Sequence, residues 1–146
     1  MVEISVDGPE EIASRLDNLV RGYPTEGKNA MWLEMAKVMN EALRLCPVDT
    51  GYLRGSRVVE EPSNLYDGTI MATIGFSAEY AYWVHELTGN YHNPPTQAKF
   101  LEVPLLKALP TLAEKVADRI EWLLTNGWSE DAVASLVEKA TKPPKG

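Results

Sequence analysis

Cys46-Pro47-Val48-Asp49-Thr50-Gly51-Tyr52-Leu53-Arg54-Gly55 is the stretch on which the fold turns. Its Asp-Thr-Gly is the loop that an acid protease carries, and such an enzyme needs two of them sharing one proton within a mostly β framework. This chain has one, Tyr52 stands where those enzymes place a small residue, and the residues before Pro47 read as helix. From about Glu26 to Leu45, and on to Cys46, the residues Trp32, Met35, Ala36, Met39, Leu43 and Cys46 recur at spacings of three and four. That is one buried helical stripe, and Pro47 cannot continue it. The stretch is therefore expected to be a corner between a long helix and a small sheet. Asp49 or Thr50 would cap a single helical turn running into Leu53, with Gly51 easing the tight backbone.

Outward from that corner the pattern is mixed. Val2, Ile4 and Val6 alternate with Glu3 and Ser5, as in a short half-buried strand, and Pro9-Glu10-Glu11 opens a helix whose stripe is Ile12, Leu16, Leu19 and Val20. After the corner, Ser56 to Glu60 and Thr69 to Phe76 read as two strands. In the second, Ile70, Ala72, Ile74 and Phe76 point one way. Turn residues between them predict an antiparallel hairpin with a loop over 61–68 that includes Leu65, Tyr66 and Asp67. From Pro104 the chain is helical again, with Leu105, Leu106, Leu109, Leu112, Val116, Ile120, Leu123 and Leu124 expected inward, and Pro110 marking either a kink or the true start. Ser129 should cap a last helix with Val133, Leu136, Val137 and Ala140 inward. The expected fold is α+β: a small antiparallel sheet with a long hairpin, packed by N-terminal and C-terminal helices. Residues 1–141 form one domain and 142–146 a flexible tail.

Composition narrows the function. Acidic residues outnumber basic ones 21 to 14, for a net charge of −7, so no basic footprint exists for gripping a phosphate backbone. No run of about 18 apolar residues spans a membrane, and the N-terminal residues lack the pattern of a secretory leader. Cys46 with His85 could in principle pair as thiolate and imidazole, but its stripe position predicts a buried core thiol. His85-Glu86 is followed by Gly89 where a zinc-protease helix would place its second histidine, and His92 lies in a loop rich in glycine and proline. No catalytic constellation, metal site or cofactor motif is expected. The aromatic group Tyr80, Tyr82, Trp83 and Tyr91 suits core or interface, with Tyr80 and Trp83 assigned to the core. The irregular segment from Glu86 to Lys99, containing Asn90, Tyr91, His92, Asn93, Pro94 and Pro95, is the first candidate interface, with Tyr82 and His85 beside it.

Three segments in order carry a resemblance: Cys46 to Ser56 after a long helix, Tyr80-Ala81-Tyr82-Trp83-Val84-His85-Glu86 after a hairpin, and Gln97 to Leu105 opening the next helix. Over roughly residues 4 to 115 the chain resembles the HK97-type tail-component family of tailed bacteriophages. There a turn matching Pro47, Asp49, Thr50, Gly51, Leu53 and Arg54 follows the helix. The chain departs from the family pattern in having Glu86-Leu87-Thr88-Gly89 for Glu-x-Gly-Thr and in its helix after Asn126. The resemblance implies a non-enzymatic virion protein made in the host bacterial cytoplasm, a neck or tail-completion component. It would assemble with itself in a six-fold ring that joins head to tail and contacts head-closure, tail-terminator or tail-tube proteins. Genomic DNA would pass through without specific binding, and the acidic charge suits that passage. An acid protease acting through Asp49, and a non-viral intracellular adaptor, stay open on the residues alone.

Overall fold

A computed structural model describes residues 2–3, 10–47, 51–64, 68–86 and 96–143. Helix α2 (Pro24–Leu45) is its axis. Pro24 opens it, Glu26 lies in its first turn and Arg44 in its last, each on the favoured end of the helix dipole. Cys46 already has extended backbone (φ −70°, ψ 128°), as the residue before a proline must, and the helix stops there. The expected stripe is buried, but so are Met31, Leu33, Val38 and Ala42 on the helix's other sides. The prediction of a single stripe therefore understates α2, which is wrapped nearly all round. At Gly27 the wrapping is close, since a Cβ there would meet Ile70 Cδ1 at 3.1 Å.

Helices α1 (Glu10–Gly22), α5 (Glu102–Asn126) and α6 (Glu130–Ala140) supply the cover. Leu16 from α1, Leu112, Val116 and Ile120 from α5, and Val133 and Val137 from α6 close on α2 in one apolar cluster. Arg15 of α1 ties to α5 through Asp118 and Glu121, both at 2.9 Å. Ser129 caps α6 as expected, its hydroxyl accepting the Ala132 N–H at 3.2 Å. Helix α5 starts at Glu102 and runs through Pro110, so Pro110 is not its start. Leu106, Leu109 and Leu124, expected inward, are exposed at 56, 42 and 36%. Leu105 and Leu106 lie about 100° apart on a helix and cannot both face α2. The inward set is Leu112, Val116, Ile120 and Leu123, with Leu105 at its margin.

The hairpin is present and carries a defect. Strand β2 (Arg57–Val59) pairs antiparallel with β5 (Ile74–Phe76), and β3 (Ser63–Asn64) with β4 (Ile70–Ala72). Val59 faces Ile74 while Ser63 faces Met71, so the first arm advances one residue more than the second. The extra residue is a bulge at Glu61-Pro62, where proline has no N–H to give the ladder. The single strand expected over Thr69 to Phe76 is thus two, and part of the expected loop 61–68 is strand; Leu65, Tyr66 and Asp67 lie outside the described residues. On the far edge of β4, β1 (Val2–Glu3) completes a three-stranded antiparallel sheet in the order β1-β4-β3. Ile70, Ala72 and Ile74 are buried, with Phe76 packed against them, as the alternation predicts. The protein is α+β, a small antiparallel sheet region set among helices.

Candidate assembly surface

At the corner the chain builds a second, smaller apolar cluster from Leu45, Cys46, Leu53, Ala78, Ala81 and Phe100. Gly51 has φ 82° and is itself the N-cap residue of the short helix α3 (Tyr52–Gly55). The left-handed backbone there suits glycine and few other residues. The N-cap position is Gly51, and Asp49 and Thr50, expected to cap this turn, lie outside the described residues. Leu53 points into the cluster. Arg54, 8% exposed, turns back so that its Nε and Nη2 both donate to the Cys46 carbonyl, at 3.1 and 3.0 Å. That carbonyl ends α2, and a buried guanidinium is tolerable there because it bonds an orphan acceptor. Pro47 is half-buried, and its carbonyl accepts the Cys46 thiol at 3.6 Å.

Helix α4 (Ala81–Glu86) lies over the same cluster. Ala81, Val84 and His85, at helical spacing, face Phe100; the His85 and Phe100 rings meet edge to face at 5.1 Å. The opposite face must then point out. Tyr80, Tyr82 and Trp83 are 42, 68 and 64% exposed, which corrects the core assignment of Tyr80 and Trp83 and leaves Tyr82 a surface residue. Tyr52, 60% exposed, stacks on Tyr80 at 5.9 Å, and Tyr82 meets Trp83 edge to face at 5.8 Å. Two pairs of large rings thus stand exposed at the corner.

His85 and Glu86, expected as interface groups, are largely engaged inside the chain. His85 Nε2 accepts the Glu102 backbone N–H at 3.2 Å and so carries no proton, which leaves the proton on Nδ1, 2.8 Å from Glu86 Oε1. Glu86 also holds the Lys99 ammonium, which reaches Glu102 at 3.3 Å as well. The bond from Lys99, and after it that from His85, holds the Glu86 carboxyl below the ordinary carboxylate range. Lys99 sits at φ 57°, a rare backbone for a residue with a Cβ. Three bonds enforce it: Lys99 N–H to the His85 carbonyl at 2.8 Å, Gln97 N–H to the Leu45 carbonyl at 2.9 Å, and Val103 N–H to the Lys99 carbonyl at 2.9 Å. The candidates Asn90, Tyr91, His92, Asn93, Pro94 and Pro95 lie outside the described residues.

Chemically, the surface offers aromatic contact and hydrogen-bonding tips. Cys46 is fully buried, and burial pushes its thiol up to about 12, with Arg54 opposing weakly, so it is a core thiol as its stripe position predicts. Both His85 nitrogens are engaged by other groups, so the histidine is not its base. Among the described residues no group of three or more His, Cys, Asp or Glu could hold a metal ion, and no helix is long and apolar enough to cross a membrane. A charged groove between α2 and α5 escaped the sequence reading. Its signal was Lys107 and Lys115, eight residues apart on one side of α5. Comparison of the chain with protein-family models, with curated proteins and with solved structures found no match.

Proposed function

We infer that the chain is a structural component of a tailed bacteriophage, a neck or tail-completion protein that assembles with itself into a ring and joins head to tail. The observation that carries this reading is the corner: all three segments that bear the resemblance contribute to one apolar cluster, through Cys46 and Leu53, Ala81, and Phe100, and the first two present Tyr52, Tyr80, Tyr82 and Trp83 outward. Tyrosine and tryptophan bring large area and a polar tip at little entropic cost, which is what a protein interface uses. Leu53 and Arg54 fix the backbone beneath the rings, so the surface is pre-formed and little order is lost on docking. In this role the chain resides in the virion and acts without a cofactor.

The test is reconstitution. Tail-less heads made without this chain are mixed with tails and purified protein, and infectious particles are counted. Restored infectivity is expected from the wild type, and a loss of at least about tenfold from a Tyr82→Ala, Trp83→Ala variant that melts like the wild type. No gain from added wild-type protein would overturn the neck assignment.

A further inference from the structure

We propose that copies of this chain associate head to tail through two oppositely charged faces on opposite sides of α2, a basic groove on one copy receiving an acidic cluster on the next. The proposal rests on the ring reading above and names the surfaces that would close the ring. The groove runs between α2 and α5 as two adjoining hollows of about 270 and 220 Å³ that share Glu34, Lys37 and Lys115. Lys107 and Arg119 complete its basic lining, with Val38, Ala108 and Leu112 as its apolar floor.

The acids in the groove are already taken. Glu34, 5% exposed, holds Lys37 at 3.2 Å and Arg119 at 3.3 Å; Glu41 holds Arg44 at 2.6 Å; Asp118 holds Arg15 at 2.9 Å. Lys107 and Lys115 are exposed and form no ion pair among the described residues. Lys107 also acts weakly on Glu41, and the lining as a whole carries four cations, Lys37, Lys107, Lys115 and Arg119, against three carboxylates, Glu34, Glu41 and Asp118, on a chain of net charge −7.

The complementary face surrounds Lys28. Glu61 and Glu130 both bond this one ammonium, at 2.6 and 2.8 Å, and the adjoining Glu60 and Asp131 are exposed without an ion pair among the described residues. Two carboxylates thus share one cation, and the two beside them in sequence are left unpaired among the described residues. Lys28 and Lys37 are nine residues apart on α2, roughly two and a half helical turns, so the two faces point in opposite directions. A patch that complements a different patch on the far side of the same subunit defines a heterologous interface, which closes into a ring when the rotation between successive copies closes and runs on as a filament when it does not. Single exposed pairs stabilise little, so the charges act by selecting partner and register over the apolar floor.

The experiment measures mass by light scattering across a dilution series. The groove variant is Lys107→Glu with Lys115→Glu, and the cluster variant is Glu60→Lys with Asp131→Lys; circular dichroism checks that both fold. Each alone is expected to need at least about tenfold more protein to assemble than the wild type, because like charges then face each other. Mixed in equal amounts they should assemble again, since the acidic groove of one now meets the basic cluster of the other. Wild-type assembly should also weaken at 1 M salt, where the screening length falls to about 3 Å. If wild type and both variants assemble alike, the ring stands and these faces are not its interface. If the wild type stays at 16.2 kDa at every concentration, the self-interface is overturned, while head-to-tail joining decides the neck reading separately. Failure of the mixture to recover, with both variants folded, also overturns the pairing.

Discussion

Arg54 shows how much one side chain can fix. Both of its bonds end on the carbonyl of Cys46, so removing the guanidinium strands a buried acceptor rather than merely a surface charge. Arg54→Met should cost about 1 to 3 kcal/mol in urea unfolding, and Arg54→Lys should recover part of that at most, because an ammonium cannot reproduce the planar fork. Equal midpoints for all three proteins would show that the bonds contribute nothing. Glu86 makes a pH prediction. Its carboxyl is held below the ordinary range in the folded chain, so its contribution is complete above the unfolded value of about 4.3 and disappears as pH falls through the lower folded value. Below that window Glu86→Gln and wild type should melt alike, and above it the variant should melt lower. A difference that persists at the lowest pH would assign the effect to shape instead of charge. The residue scale was only partly legible in sequence. Leu53 and Arg54 stood out as a motif, but nothing in their order says that arginine turns inward onto Cys46, since that depends on where α2 leaves its last carbonyl.

Among the elements, α5 offers the sharpest test. Pro110 lies within it and cannot give an N–H to the Leu106 carbonyl, yet helix persists on both sides and Pro110 itself is exposed. Pro110→Ala should therefore raise the melting temperature, since proline in a helix interior is about 3 kcal/mol less favourable than alanine and the helix pays part of that now. An unchanged or lower melting temperature would mean that the ring packs on something its exposure conceals. Elements were read well where one periodicity ruled. The C-terminal end of α2, the cap of α6 and the buried face of β4 and β5 follow from proline, serine and strict alternation, whereas α2 starts at Pro24, two residues before the expected Glu26. The misreadings share a physical cause: where apolar residues outnumber the positions on one face, sequence does not say which lose. Leu106, Tyr80 and Trp83 lost because the chain covers α5 and the Tyr80–Glu86 segment on one side only, α5 by α1 and α2 and the other by the cluster around Phe100. The break at Thr73 was hidden for a different reason, since a bulge opposite, at Glu61-Pro62, leaves alternation along the second strand unchanged.

At the scale of the molecule there are two apolar clusters, a large one around α2 and a small one around Phe100, bridged by Phe76 and Leu101. Phe76 and Phe100 meet edge to face at 5.2 Å at the join. The small cluster has few members, so it should open more often than the whole chain unfolds. Phe100→Ala, costing about 3 to 5 kcal/mol, should accelerate amide exchange in 52–55 and 81–86 while leaving that of 130–140 slow. Uniform acceleration would show a single cooperative unit. The α+β class was legible from the order of periodicities, but this division was not, because it depends on which residues meet across the corner. One consequence concerns the lone cysteine. Cys46 lies in the small cluster, fully buried, so an alkylating reagent reaches its sulfur only while the cluster is open. The chain therefore carries a built-in stopwatch: the rate at which a maleimide is consumed counts the openings of the corner, without any label having been engineered.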